Sequence, residues 1–249
     1  MSATRADVCV VACAEAFRPD ADTVVSPMGT VPRLGALLAM ATFQPDLLLT
    51  DGEAYLLAEP VPLGAEADAR REGWLPFRDI FQVVNAGTRH VMMGATQIDV
   101  RGNQNISALG DHRQPKVQLL GARGAPGNTA NHTTSYWVPN HGPRVFVDQV
   151  DFASGIGTDR ATGEAGRFHD LRAVVTNLAV LDLGGPDGTL GLRSTHPGVT
   201  VDEVVAATGC DLHVPDDVPT TREPTDDELA LIDRFDAAGQ RFAEIPNDG

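Results

Sequence analysis

Lysine is nearly absent from this chain: of its 19 basic residues only Lys116 is a lysine. Chemistry that needs a lysine nucleophile therefore has a single candidate. Cysteine is also scarce, at 3. Cys9 and Cys13 fall four apart on an expected helix and read as small core-facing residues rather than a metal or redox pair; Cys210 is far from both in sequence. Nothing in that usage points to an oxidising compartment. Basic charge is short overall. The formal net charge is -15 and the pI about 4.7, which argues against nucleic acid as the main partner. Long apolar runs are missing too. No stretch approaches the roughly 18 residues of a membrane-spanning helix, and the N-terminus lacks a basic region followed by an apolar one. The expectation is a cytoplasmic protein with no membrane partner.

Several fingerprints are absent as well. There is no P-loop, and Gly121-x-x-Gly-x-x-Gly127 lacks the spacing and following helix of a dinucleotide-binding turn. No G-x-S-x-G elbow occurs, which argues against a serine hydrolase. His132 and His141 flank Tyr136-Trp137 without nearby carboxylates; they read as polar loop residues, and no metal site is expected.

What is present fits a globular α/β protein. A hydrophobic share of 42% in 249 residues can bury a substantial core in one large domain or two small ones. Ser2 or Thr4 is positioned to cap a helix to about Phe17. Thr23–Ser26 reads as a strand, 31–41 as a helix whose Gly35, Ala36 and Ala39 allow close packing, and Pro45–Thr50 as a strand buried on both faces. Residues 59–73 read as a loop, 76–86 as a helix, and His90–Met93 as a buried strand. Helix and strand alternate to this point, which predicts parallel β–α–β units in an open, mainly parallel, doubly wound sheet with helices on both faces. Later, Arg144–Val150 is strand-like, Ala173–Leu183 is one long strand or a tight pair, Val201–Ala207 is a short helix, and Thr225 caps a last helix. A single domain over 1–236 is expected, with a loose tail over 237–249.

Gly94–Trp137 is the unusual stretch. Gln97, Asn103, Gln104, Asn105, Gln114, Asn128 and Asn131 crowd a segment with no helical stripe, and Gly121, Gly124 and Gly127 follow in quick succession. Uncharged amides suit a loop over a polar ligand or one that fixes its own turns, and the glycines let backbone N–H groups approach a bound oxygen. An ordinary irregular crossover has the same composition. Arg89, Arg101, Arg113, Lys116 and Arg123 face only Asp99 and Asp111 here; the footprint of an anionic ligand and pairing with distant acids both explain them. Ligands in such sheets sit at the carboxyl ends of strands, which also selects the turn Asp51–Glu53. Glu53 is the carboxylate best placed there for acid, base or nucleophile work, unless it and Asp51 cap the next segment.

These residues carry a resemblance. Pro45-Asp46 with its apolar strand, Gly94-Ala-x-Gln97-Ile-Asp99-x-x-Gly102-Asn103-x-Asn105, Gly110-Asp111-x-x-x-Pro115-Lys116 and Gly121-x-x-Gly124-Ala125-x-Gly127-Asn128 resemble the β subunits of class I CoA-transferases of the glutaconate type. The likeness implies the CoA-transferase (NagB-like) fold, a paired α subunit in an α2β2 complex, and an acyl-CoA bound at the α/β interface as substrate, with no prosthetic cofactor. It assigns substrate or CoA contacts to Asp51, Gly52, Glu53, Gln97, Asn103, Asn105, Arg123, Gly124, Ala125, Gly127 and Asn128.

One position departs from the pattern. The β subunit of a transferase supplies a glutamate that attacks the thioester, and a gapless match from Pro45-Asp46 places that position on Gly52. Glu53 is one residue on, and in extended chain one residue reverses the side. A branch of the family, the steroid ring-cleaving CoA hydrolases, is similar through Val25-Ser-Pro-Met28, Leu48-Leu-Thr-Asp-Gly-Glu-Ala54, Arg123–Asn128, Thr134-Ser-Tyr-Trp137 and Gly155-Ile-Gly157. It implies C–C bond hydrolysis of a cyclic β-keto-type acyl-CoA with the essential glutamate on the α subunit and none on this chain. A transferase using Glu53, and a non-catalytic subunit, are the alternatives.

Overall fold

A computed structural model describes residues 3–50 and 54–245. In chain order these form α1 (Arg5–Ala16), β1 (Val24–Pro27), α2 (Thr30–Thr42), β2 (Leu48–Leu49), β3 (Tyr55–Leu57), β4 (Arg71–Trp74), α3 (Phe77–Ala86) and β5 (Arg89–Gly94). There follow β6 (Gln97–Asp99), β7 (Gln104–Asn105), β8 (Ala108–Leu109), β9 (Val117–Gln118), α4 (Ala125–Asn131), β10 (Thr133–Val138) and β11 (Phe146–Val147). The rest are β12 (Asp170–Thr176), β13 (Ala179–Asp182), β14 (Gly191–Thr195), α5 (Val201–Ala207), α6 (Asp226–Phe235) and α7 (Arg241–Glu244). The architecture is the mixed α/β one that the alternation predicts, with a mostly parallel main sheet. It divides into two compact units, Met1–Met93 with Arg222–Gly249 and Gly94–Thr221.

In the first unit β1 pairs in parallel with β2 (Val25 opposite Leu49) and with β5 (Val25 opposite His90). Thr4 caps α1: its hydroxyl accepts the Asp7 N–H at 3.3 Å while Asp7 Oδ2 accepts the Thr4 N–H at 2.9 Å. Nearly all of α1 is buried, and so are Leu34, Leu37 and Leu38 of α2, each at about 1.5–3 kcal/mol of apolar transfer. The small residues of α2 do bring it close to α1. A Cβ on Gly35 would lie 2.7 Å from Cys13 Cβ, and both cysteines face this core as expected.

The expected loose tail is packed as far as Ile245. Arg241, 5% exposed, donates to Asp7 at 2.8 Å, Asp233 at 2.6 Å and Asp236 at 3.2 Å. Glu244 accepts the N–H groups of Thr30 at 2.7 Å and Val31 at 3.1 Å, satisfying two orphan donors of α2. Asp7 lies 234 residues from Arg241 and Thr30 lies 214 from Glu244, so these two contacts leave no local pattern to read. Residues 59–73 hold β4, antiparallel to β3 with Trp74 opposite Tyr55, instead of a plain loop.

In the second unit β10 and β12 are parallel, and β12, β13 and β14 are antiparallel in succession. Ala173–Leu183 is thus the tight pair, turned by Thr176, whose Oγ1 accepts the N–H groups of Leu178 and Ala179 at 3.0 Å. A smaller sheet joins β6 to β11 in parallel and to β7 in antiparallel fashion. The strands Pro45–Thr50 and Arg144–Val150 shrink to Leu48–Leu49 and Phe146–Val147.

Candidate functional site

Within the amide-rich stretch, Gln97 and Asn103–Asn105 pack inward, while Gln114 and Asn131 are exposed. Asn103, Gln104 and Asn105 are 1%, 0% and 0% exposed. Such groups enter a core only when their hydrogen bonds are made inside it. Here they are. Asp99, Gly102 and Asn103 make the first turn. Asp99 Oδ1 accepts the N–H groups of Arg101 at 3.1 Å and Asn103 at 3.0 Å, and Gly102 sits at φ 80°. The Asn103 side-chain amide donates to Asp99 and, at 2.8 Å, to Asp159, and its carbonyl accepts the Gly157 N–H at 2.8 Å. Gly157 has no alternative: a Cβ there would stand 2.2 Å from Arg101 O. Burial pushes the Asp99 carboxyl up, while the Asn103 amide and backbone N–H groups pull the other way.

Gln97 and Asn105 form the second knot. Asn105 Nδ2 donates to Gln97 Oε1 at 2.8 Å and to Ala108 O at 2.7 Å, while its Oδ1 accepts the Ser107 N–H at 2.9 Å. Gln97 in turn accepts the Asp151 N–H at 3.0 Å and donates to Asp151 Oδ2 at 3.2 Å. Asp151 also accepts the Gly110 N–H at 2.9 Å. Asp151, Asp159 and Gly157 were not singled out as site residues from the sequence; Gly155-Ile-Gly157, part of the family likeness, was the available signal.

The glycine segment is different. Arg123 and Gly124 are exposed, Gly121 and Gly127 half-buried, and Ala125 and Asn128 buried. Gly121 has φ 83°, and Arg123 has φ 49°, a left-handed conformation uncommon for a residue with a Cβ. A short helix, α4, does follow the glycines, where none was expected. The turn therefore offers backbone and a guanidinium outward, as does the exposed segment 111–118 with Arg113 and Lys116. Of the five locally basic residues, Arg89 is not on this surface: it is 6% exposed, donates to Ser26 Oγ at 3.0 Å, and burial lowers its pKa to about 10.

Asp51, Gly52 and Glu53 lie outside the described residues. Next to them, Arg33 Nη1 donates to Thr50 O at 2.8 Å. The two histidines lie in connections, as expected, with their rings turned inward. His132 is 3% exposed, and His141 stacks on Phe146 at 4.3 Å between Nδ1···Thr176 Oγ1 at 3.1 Å and Nε2···Thr208 Oγ1 at 2.9 Å. Among the described residues no group of three or more His, Cys, Asp or Glu side chains is placed to hold a metal ion. None of their helices is long and apolar enough to cross a membrane.

No family model matches the chain. It is 53% identical, over 92% of its length and 90% of the relative's, to the cholesterol ring-cleaving hydrolase IpdB subunit of Rhodococcus jostii (strain RHA1). The chain belongs to the IpdB family. The crystal structure of Rhodococcus jostii RHA1 IpdAB superposes with a TM-score of 0.95 at 50% identity, covering 98% of this chain and 99% of that one. A more distant relative, the β subunit of the glutaconate CoA-transferase of Acidaminococcus fermentans, shares 25% identity over 90% of each chain. The IpdB family is thus a branch of the CoA-transferase β subunits, as the motifs implied. This chain is an enzyme subunit that works in a heteromeric complex with an α subunit.

Proposed function

We propose that this chain is the β subunit of a CoA-transferase-family hydrolase that opens the last steroid ring of a cyclic β-keto-type acyl-CoA in steroid catabolism. The observation that carries the reading is the likeness to IpdB over 92% of the chain, joined to the same fold over 98% of it. The chemistry is hydrolysis of a carbon–carbon bond. A carboxylate on the α subunit takes a proton from water, the hydroxide adds to the ring ketone, and the bond to the thioester's α-carbon breaks. Its electron pair passes into the thioester enolate, which is then protonated, and the ketone carbon leaves as a carboxylate. Such a step needs a base and an enolate stabiliser, not an acyl-accepting carboxylate.

In this reading the chain contributes no catalytic group. Arg123, Gly124, Ala125, Gly127 and Asn128 shape a turn against the CoA or acyl portion, with Asp51, Gly52 and Glu53 as the second contact segment. Gln97, Asn103 and Asn105 act one step back, as positioning residues whose internal bonds set the backbone of 94–110. The complex is an α2β2 assembly in the cytoplasm, with acyl-CoA as substrate and no bound cofactor. The left-handed backbone at Arg123 separates its two roles. Arg123→Gly keeps the turn and removes the charge, and it is expected to raise KM for the acyl-CoA about tenfold, the worth of one exposed-to-partly-buried charge-assisted contact. Unchanged KM in Arg123→Gly would take the guanidinium out of the site.

The runner-up is a transferase using Glu53, which the Glu at the turn and the distant glutaconate relative favour. A transferase requires a carboxylate acceptor. CoA transfer to acetate, with no ring opening in water alone, is the result that selects it.

A further inference from the structure

We infer that Gly94 is a specificity-determining residue, against whose Cα the acyl group of the substrate lies; the inference rests on the acyl-CoA reading above. Gly94 is the last residue of β5, exposed where every earlier residue of that strand is buried. Glycine weakens a strand, so it is kept where the chain must turn, pack against itself or be approached closely. The first two needs are missing here. The φ of Gly94 lies outside the left-handed region, and a Cβ built on it would meet nothing nearer than Trp137 O at 4.0 Å. Gly35 and Gly157 differ: their Cβ positions fall 2.7 Å and 2.2 Å from atoms of the chain itself. The fold therefore does not require a glycine at 94. Close approach by another molecule does, and ligands of parallel sheets sit at this end of a strand.

Gln104 is the exception among the buried amides, and it ties Gly94 to the helix of the glycine turn. It is 0% exposed, and its Nε2 donates to Gly94 O at 2.6 Å. Its Oε1 has no hydrogen-bond donor among the described residues. Thr129 of α4 is beside it: a Cβ on Gly155 would stand 3.1 Å from Gln104 Oε1 and 3.3 Å from Thr129 Oγ1. That hydroxyl cannot serve Oε1, because it donates to Ala125 O at 2.9 Å. A buried acceptor left unmet is unfavourable, so the amide is retained for the one bond it makes, which fixes the Gly94 carbonyl. Gly94 is thereby held one side chain away from α4, whose Ala125 and Asn128 belong to the turn assigned to the substrate. Residues 91–96 carry no charge, which suits an uncharged acyl group at this position and not the phosphates of CoA.

The test uses the co-expressed α/β complex carrying Gly94→Ala or Gly94→Leu. Calorimetry measures binding of free CoA and of cyclohexanecarbonyl-CoA, a ring thioester without the ketone that ring opening needs. Affinity for the thioester is expected to fall about fivefold in Gly94→Ala and at least about 30-fold in Gly94→Leu, as overfilling a closed contact does. Affinity for free CoA is expected to stay within about twofold, the mark of a contact made by the acyl group alone. The denaturant midpoint of Gly94→Ala and its α/β association in sedimentation are expected to be unchanged. Thioester affinity unaltered in Gly94→Leu overturns the assignment, and so does an equal loss for free CoA. A lowered midpoint in Gly94→Ala would return the glycine to the fold, and lost association would give the space to the α subunit; either overturns it too. Ring opening of the cyclic β-keto acyl-CoA is assayed separately on the unaltered complex. Its absence strikes the hydrolase reading and leaves the binding result at Gly94 standing.

Discussion

His141 shows how a residue that looks like chemistry can be structure. It is wedged between two threonine hydroxyls and a phenylalanine ring, and burial lowers its pKa to about 4. An unfolded histidine takes its proton near pH 6.5. Between those values the unfolded state binds the extra proton, so stability is full above about pH 6.5 and falls as pH drops toward 4, by on the order of 2–3 kcal/mol. His141→Asn lacks this slope, so its thermal unfolding midpoint is expected to approach that of the unaltered chain as pH falls. A constant gap between the two from pH 7 to 4.5 would contradict the assignment. Gly35 makes the matching point for packing. A methyl group there meets Cys13 Cβ at 2.7 Å, so Gly35→Ala is expected to cost about 1–3 kcal/mol in denaturant unfolding despite the better helix propensity of alanine.

At the scale of elements, Gly94–Asn105 was legible as special, with two meanings left open: a loop over a polar ligand, or one that fixes its own turns. The composition of amides and glycines announced something other than an apolar core, and a loop over a ligand was one physical meaning. The other, which holds for Gln97, Asn103 and Asn105, is a core of hydrogen bonds closed by Asp99, Asp151 and Asp159. Those acids lie up to 56 residues away, so no window of sequence displays the network. Asn103→Ala leaves Asp99 and the Gly157 N–H short of partners and is expected to destabilise the unit by about 2–3 kcal/mol, read as faster amide exchange over 97–110. Exchange unchanged there would mean that the bonds are incidental. Capping signals were read correctly at Thr4 and Thr225 because they are local: a hydroxyl and a carboxylate three residues apart. Strand lengths, the hairpin of β3 with β4, and the anchoring of Arg241 depend on distant partners and were not legible.

For the whole molecule, the order of motifs spoke more clearly than any one of them. The Gly94–Asn105 and Gly121–Asn128 blocks in sequence are enough to select the CoA-transferase β subunit, and the IpdB likeness refines the branch. The described residues assemble a well-braced scaffold with an outward glycine turn. The account's central claim is that the base lies on the other chain. The most direct test is the co-expressed α/β complex carrying Glu53→Gln, assayed with a cyclic β-keto acyl-CoA in water and separately with acetate as acceptor. Ring opening within a few-fold of the unaltered complex, with no acetyl-CoA formed, is the expected result. Loss of all activity from Glu53→Gln, alongside acetate-dependent CoA transfer by the unaltered complex, would contradict it and make Glu53 the nucleophile of a transferase.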